Sequence, residues 1–213
     1  MQIDREEFLR YLVWKGQETD NTFLQKLDEA AKQCLALTVP RSVVRKFELT
    51  DSLELRGTGF FLEGSDICEH LKGCREIYLM AATVGIGVER ELMRLSQKSA
   101  NAALLFDTAA SCAVESYCDD VCDDLQKDNP FLLTARFSCG YGDFPLKDIC
   151  KLLRTDSQIG LCCDESFLLT PRKSVTAVVG ISRIPYVPEK APARCMHKCS
   201  ACKNASCAFR KTE

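Results

Sequence analysis

Between Arg136 and Pro145 the chain gathers an arginine, two glycines, a tyrosine, an aspartate and a proline into one short run. It reads Arg136-Phe137-Ser138-Cys139-Gly140-Tyr141-Gly142-Asp143-Phe144-Pro145. The guanidinium of Arg136 offers a planar fork of donors suited to a carboxylate. Glycine permits backbone angles that other residues avoid and lets main chain approach a ligand closely. A β-prone stretch, 131–135, feeds the run, so a strand is expected to hold it. A loop of this kind suits a small, charged, flat-ringed molecule, although a surface turn with an incidental arginine has the same local pattern.

A second concentration lies near the C-terminus, where Cys195, Cys199, Cys202 and Cys207 put four thiols within a few turns of chain. Structural zinc usually takes two well-separated pairs, whereas compact runs with short gaps resemble iron–sulfur ligation. Both an iron–sulfur cluster and zinc remain open for this tail.

Other candidates carry less. Gly85-Ile86-Gly87-Val88-Glu89-Arg90 follows an apparent strand, as a dinucleotide fingerprint would, but the third glycine is missing. A plain strand-to-helix turn explains it. His70 falls late in a short helix, where a helix-end charge partner is the ordinary role. No Ser/His/Asp or Cys/His arrangement stands out, so ordinary hydrolysis is excluded. Asp119, Asp120, Asp123 and Asp124 recur at helical spacing and read as a solvated helix face.

The 213 residues suffice for one well-buried core. With 28 basic and 30 acidic residues the net charge is −2, which leaves no basic footprint for nucleic acid. No apolar run approaches the ~20 residues of a membrane span. The N-terminus, Met1-Gln2-Ile3-Asp4-Arg5-Glu6-Glu7, does not resemble a signal peptide. A cytoplasmic location is therefore expected. There, fourteen cysteines point to metal or redox chemistry in the clustered tail rather than to a disulfide scaffold. Cys34, Cys112, Cys118, Cys122 and Cys150 fall in apolar helical patterns and read as small core hydrophobes.

The elements that must position these residues follow from periodicity. Helices are expected over 4–14, 20–37, 65–71, 84–98, 100–127 and 146–153. Strands are expected over 43–49, 77–82, 131–138, 159–168 and 174–182. Long helices and short strands without βαβ alternation predict an α+β fold, a mixed or antiparallel sheet flanked by long helices. Three prolines between Ile184 and Arg194 give linker composition. The expected organisation is a domain over 1–183, a linker over 184–194 and a Cys-rich metal-binding tail over 195–213.

The Arg136–Tyr141 run resembles the R-x-x-x-G-Y loop of the activation domain of cobalamin-dependent methionine synthase. The stretch Leu105 to Glu115 resembles the helix that lends a glutamate to the same site. Ile159-Gly160, Glu165-Ser166-Phe167, Pro171 and Ser174-Val175 resemble the segment after the loop. Ile67 through Ala81-Ala82-Thr83-Val84-Gly85 is similar to free-standing small proteins of that family. Cys139 stands where the family usually has proline.

The resemblance implies that Arg136, Ser138 (through its backbone), Gly140, Tyr141 and Glu115 bind S-adenosylmethionine. It further implies support for reductive methylation, and so reactivation, of the cobalamin on a partner: a methionine synthase or related corrinoid methyltransferase. The cobalt on the partner would be the nucleophile, consistent with a chain that carries none. An iron–sulfur tail would be placed to bring the electron. The alternative is a non-catalytic regulatory or assembly module that binds S-adenosylmethionine or a corrinoid protein and keeps a structural zinc tail.

Overall fold

Asp20 and Ser99 start the two long helices by the same device. Each side chain accepts a hydrogen bond from the backbone N–H three residues on, Phe23 N at 2.6 Å and Ala102 N at 3.3 Å. That satisfies a donor which the first helical turn otherwise leaves without a partner. The computed structural model describes residues 1–14 and 16–187.

The N-terminal half runs α1 (Arg5–Tyr11), α2 (Asn21–Leu37), β1 (Arg41–Glu48), a hairpin of β2 (Glu54–Leu55) and β3 (Phe60–Phe61), then α3 (Ser65–His70) and β4 (Glu76–Thr83). Next come α4 (Ile86–Ser96), α5 (Ala100–Lys127) and β5 (Phe131–Leu133). After the long loop follow α6 (Ile149–Leu153), α7 (Thr155–Ile159), a hairpin of β6 (Cys162–Cys163) and β7 (Leu169–Thr170), and β8 (Ser174–Pro185).

The main sheet has the order β1-β4-β8-β5, and every neighbouring pair is antiparallel. The fold is α+β, as the element pattern predicts. Alternate side chains of a strand point to opposite faces, and here both faces are covered. From β4, Met80 and Ala82 join a core with α2, α4 and α5, while Ile77, Leu79 and Ala81 join a second core with α3, α6 and the long loop. This explains why β4 reads as a continuous apolar run.

On α5, Ala109, Ala110 and Ala113 are fully buried against the sheet. Their small size lets the helix lie close, so enlarging Ala113 to leucine would overpack the interface at a cost of ~1–3 kcal/mol.

Several boundaries differ from the sequence reading. The expected strand over 159–168 is instead the end of α7 followed by the β6–β7 hairpin. Gly160 closes α7 in the left-handed region at φ 67°. Asp164 then ties the hairpin turn by accepting from Ser166 N at 2.8 Å and Leu168 N at 2.9 Å.

The β2–β3 hairpin lies in what reads as a turn-rich stretch. β8 runs on to Pro185, two residues into the expected linker, because Phe131 pairs with Pro185. The remainder of that linker from residue 188, and the tail with Cys195, Cys199, Cys202 and Cys207, lie outside the described residues.

Gly85 opens α4 as a simple strand-to-helix turn on an antiparallel sheet, so the dinucleotide pattern has no βαβ context. Among the described residues no helix is long and apolar enough to cross a membrane.

Candidate functional site

The site begins with a miscount between two strands. Leu133 pairs with Ile181, and Phe137 pairs with Val178. Three residues (134, 135, 136) therefore face two (179, 180), which is one residue too many for a regular ladder. Such a bulge reverses which face later side chains meet. Leu133 belongs to the α5-side core, yet Phe137, four residues on, belongs to the opposite one. Arg136 is thereby turned towards α5.

There it meets two acids. Arg136 Nη2 donates to Glu115 Oε2 at 2.7 Å, and Nη1 donates to Asp119 Oδ1 at 2.5 Å. Glu115 and Asp119 are four residues apart on α5 and share one helix face. The Arg136 side chain is 6 % exposed, against 30 % for Glu115 and 26 % for Asp119. The carboxylates therefore present themselves to solvent and the guanidinium lies beneath them.

Burial alone would lower the pKa of Arg136, but the charges of Asp119 and Glu115 outweigh it and push the pKa up. The arginine is a fixed cation.

The tip of the loop is held by its own backbone. Tyr141 N donates to Ser138 O at 3.2 Å, Phe144 N to Tyr141 O at 3.0 Å, and Gly140 N to Phe144 O at 2.9 Å. Gly140 and Gly142 both take positive φ, 85° and 54°, which only glycine adopts without strain. A Cβ at Gly142 would also meet Asp66 Oδ2 at 2.1 Å. Gly142 is thus required twice over, by angle and by space.

From the next position Asp143 reaches the start of α3. Its Oδ2 accepts from Ser65 N and Ser65 Oγ, and its Oδ1 accepts from Asp66 N at 2.9 Å. The Ser65 hydroxyl, then the Asp66 and Ser65 amides, hold the Asp143 carboxyl at about 2, well below its usual range. Sequence reasoning makes Ser65-Asp66 the cap of this helix. Instead Gly64 occupies the cap position at φ 122° and the capping oxygens come from Asp143.

Beneath the loop, His70 Nε2 lies 2.9 Å from Ala135 O and 3.1 Å from Thr134 Oγ1, and its ring packs 4.9 Å from that of Phe137. Burial lowers the pKa of His70 below its usual value, only partly offset by the Ala135 carbonyl. It is a neutral hydrogen-bonding anchor and does not serve as the charged helix-end partner expected from sequence.

The structure places the expected site residues as follows. Arg136 and Glu115 are in direct contact, and Ser138, Gly140 and Tyr141 form the adjoining turn. The Ser138 N–H makes no hydrogen bond among the described residues. Tyr141 is 54 % exposed, with its ring edge-on to Phe137 at 5.9 Å.

Two participants escaped the sequence reading. Asp119 read as part of a solvated acidic face; its spacing of four from Glu115 was the available signal. Tyr11 of α1 lies close enough to Glu115 that burial and this charge raise its pKa to about 12. Nothing in the N-terminal sequence pointed to that.

The class defined by fold and site is an α+β domain in which a bulged edge strand delivers an arginine to two helix-borne carboxylates beside a glycine-tyrosine turn. A solved structure shares the fold: a crystal structure of the MetH reactivation domain bound to AdoHcy. It has a TM-score of 0.55 and 15 % sequence identity, and the match covers 88 % of this chain and 78 % of that one. No protein-family model and no curated protein matches the sequence.

Proposed function

We propose that this chain binds S-adenosylmethionine between the 136–145 loop and α5 and supports reductive methylation of the cobalamin carried by a partner methionine synthase or related corrinoid methyltransferase. The observation that carries the reading is the Arg136–Glu115 pair at 2.7 Å. It joins the two segments expected to share the ligand, within a fold also adopted by a reactivation domain crystallised with AdoHcy.

When bound, S-adenosylmethionine supplies a methyl group on a sulfonium cation. The task of this chain is to position it. Arg136 is the donor for the methionyl carboxylate, and a guest carboxylate must share the guanidinium with Glu115 and Asp119. Those two acids take the amine or ribose hydroxyls. The Ser138 N–H offers a further donor, and exposed Tyr141 packs beside the cation. Holding two reactants in a productive geometry is worth several kcal/mol of barrier. The nucleophile on this reading is the partner's cobalt, and positioning is what this chain contributes. On this reading the tail over 195–213 carries an iron–sulfur cluster or zinc.

Two measurements test the proposal. Calorimetry should show binding of S-adenosylmethionine that weakens about 10- to 150-fold in Arg136→Ala, the loss expected for a charged hydrogen bond of ~1.5–3 kcal/mol. A single-turnover mixture of this chain, cobalamin-loaded partner, reductant and methyl-labelled S-adenosylmethionine should place label on cobalt. Binding without label transfer would favour a regulatory module instead. Absence of binding would end the reading.

A further inference from the structure

A separate cluster of ligating atoms lies in the core on the other side of the sheet from Arg136. Asp148 caps α6, accepting from Lys151 N at 2.8 Å through Oδ1. Cys150 follows two residues later, and Cys163 arrives from β6. One carboxylate oxygen and the two Sγ atoms all lie within 4.8 Å of one another. Cys150 is buried, whereas Asp148 and Cys163 are half-buried, so the cluster has a solvent-facing side. Oδ2 of Asp148 takes no hydrogen bond among the described residues. Cys139, from the loop, packs on the same core as Cys150 and Cys163.

We propose that Asp148, Cys150 and Cys163 form a binding site for a divalent cation of the zinc type. Two thiolates and a carboxylate make a donor set of borderline softness, which suits zinc over magnesium or calcium. Tetrahedral zinc with Zn–S of about 2.3 Å and Zn–O of about 2.1 Å sets its ligand atoms roughly 3.5–3.8 Å apart. The cluster needs a closure of at most about 1 Å, within reach of side-chain rotation about Cys163 and Asp148.

Binding deprotonates both thiols and releases two protons. The bound unit then carries the cation's two positive charges against three ligand negatives. A fourth position is left for water or for the Cys139 thiolate. Because Asp148-x-Cys150 and Cys163 come from separate segments, the cation would pin the β6–β7 hairpin to α6 beneath the loop. The inference does not depend on S-adenosylmethionine binding.

The tail thiols would also take metal, so the test uses the full chain with Cys195, Cys199, Cys202 and Cys207 all replaced by serine. This protein, reduced and metal-free, is titrated anaerobically with Co²⁺. The expected result is saturation at one equivalent, a thiolate-to-cobalt charge-transfer band, and displacement by Zn²⁺.

Losing even an outer partner of a metal ligand costs ~10–100-fold in affinity, so adding Cys163→Ser should weaken binding at least ~10-fold and diminish the band. Asp148→Asn keeps the helix cap, since asparagine caps as well as aspartate. It should weaken Co²⁺ binding while leaving the band in place. It decides the matter if Cys163→Ser does not fold by circular dichroism. Absence of a charge-transfer band at stoichiometric Co²⁺, or Co²⁺ affinity unchanged in the folded variants, would overturn the site.

Discussion

Asp143 Oδ2 lies 2.6 Å from both the backbone nitrogen and the hydroxyl oxygen of Ser65, although 78 residues separate the two in sequence. This clamp fastens the tip of the 136–145 loop to the first turn of α3, whose amides favour negative charge. Gly64 makes it possible, since a Cβ there would sit 2.8 Å from Asp143 Oδ1.

The clamp gives the loop an acid limit. Asp143 has a folded pKa of about 2, below the ~3.9 of an unfolded aspartate. Its contribution is complete above pH ~4 and is lost as the pH falls towards 2. Protection factors of the 138–144 amides, with exchange corrected for its intrinsic pH dependence, should therefore fall over that interval in the wild type. In Asp143→Asn they should be lower at neutral pH and flat across the same interval. An unchanged exchange profile in the variant would show that the clamp does not hold the loop.

Gly142→Ala tests the turn itself. The new methyl meets Asp66, and the residue must hold φ 54°. A non-glycine residue in the left-handed region costs of order 1–3 kcal/mol, and Asp66 must move as well. A thermal melt should show a loss in this range. On the proposed reading, affinity for S-adenosylmethionine should fall more than stability does, because the loop is displaced while the core stays intact. Gly73→Ala has positive φ but open space around it, so it serves as the control for strain alone.

Much of this architecture is legible before any coordinates. The helices over 20–37 and 100–127 announce themselves by period, and β4 by an apolar run short enough for a buried strand. What stays hidden depends on pairing rather than pattern. The single extra residue between Leu133 and Phe137 cannot be seen without knowing that β8 is the partner strand, yet it decides that Arg136 faces α5. Only its spacing of four from Glu115 separates Asp119 in sequence from Asp120 and Asp124. Asp120 meets the N-terminal amine and Asp124 meets Lys127, while Asp119 alone of these is bound to Arg136. The remote cap from Asp143 is likewise invisible, because a local candidate, Ser65, stands at the expected place.

His70 should give the fold a second pH response, nearer neutrality. Burial lowers its folded pKa below the usual 6.5. The unfolded chain therefore takes up a proton first as the pH drops. Stability should be fullest above pH ~6.5 and decline as the pH falls towards the folded value. His70→Gln keeps a donor for the Ala135 carbonyl but cannot titrate. Chemical denaturation at several pH values between 7.5 and 5 should show a shallower decline for this variant than for the wild type. Parallel curves would mean that other groups set the response.

The charge of the Arg136 triad makes the most demanding prediction, and it rests on the proposed ligand. Glu115 and Asp119 are both more exposed than the arginine they bind. On the proposed reading these carboxylates lie beside the sulfonium of the guest. S-adenosylmethionine and its demethylated product, AdoHcy, differ at the reacting centre by one positive charge on sulfur. A unit charge ~4 Å from a carboxylate gains at least about 1 kcal/mol even at the dielectric constant of water. Asp119→Asn removes that attraction while leaving the shape of the site nearly unchanged. Its effect should fall on the sulfonium ligand, with affinity for S-adenosylmethionine reduced about fivefold or more and affinity for AdoHcy changed much less. Calorimetric titration of both ligands into both proteins measures the four constants directly. Equal losses would place the sulfur away from the acid pair and confine Asp119 to orienting Arg136.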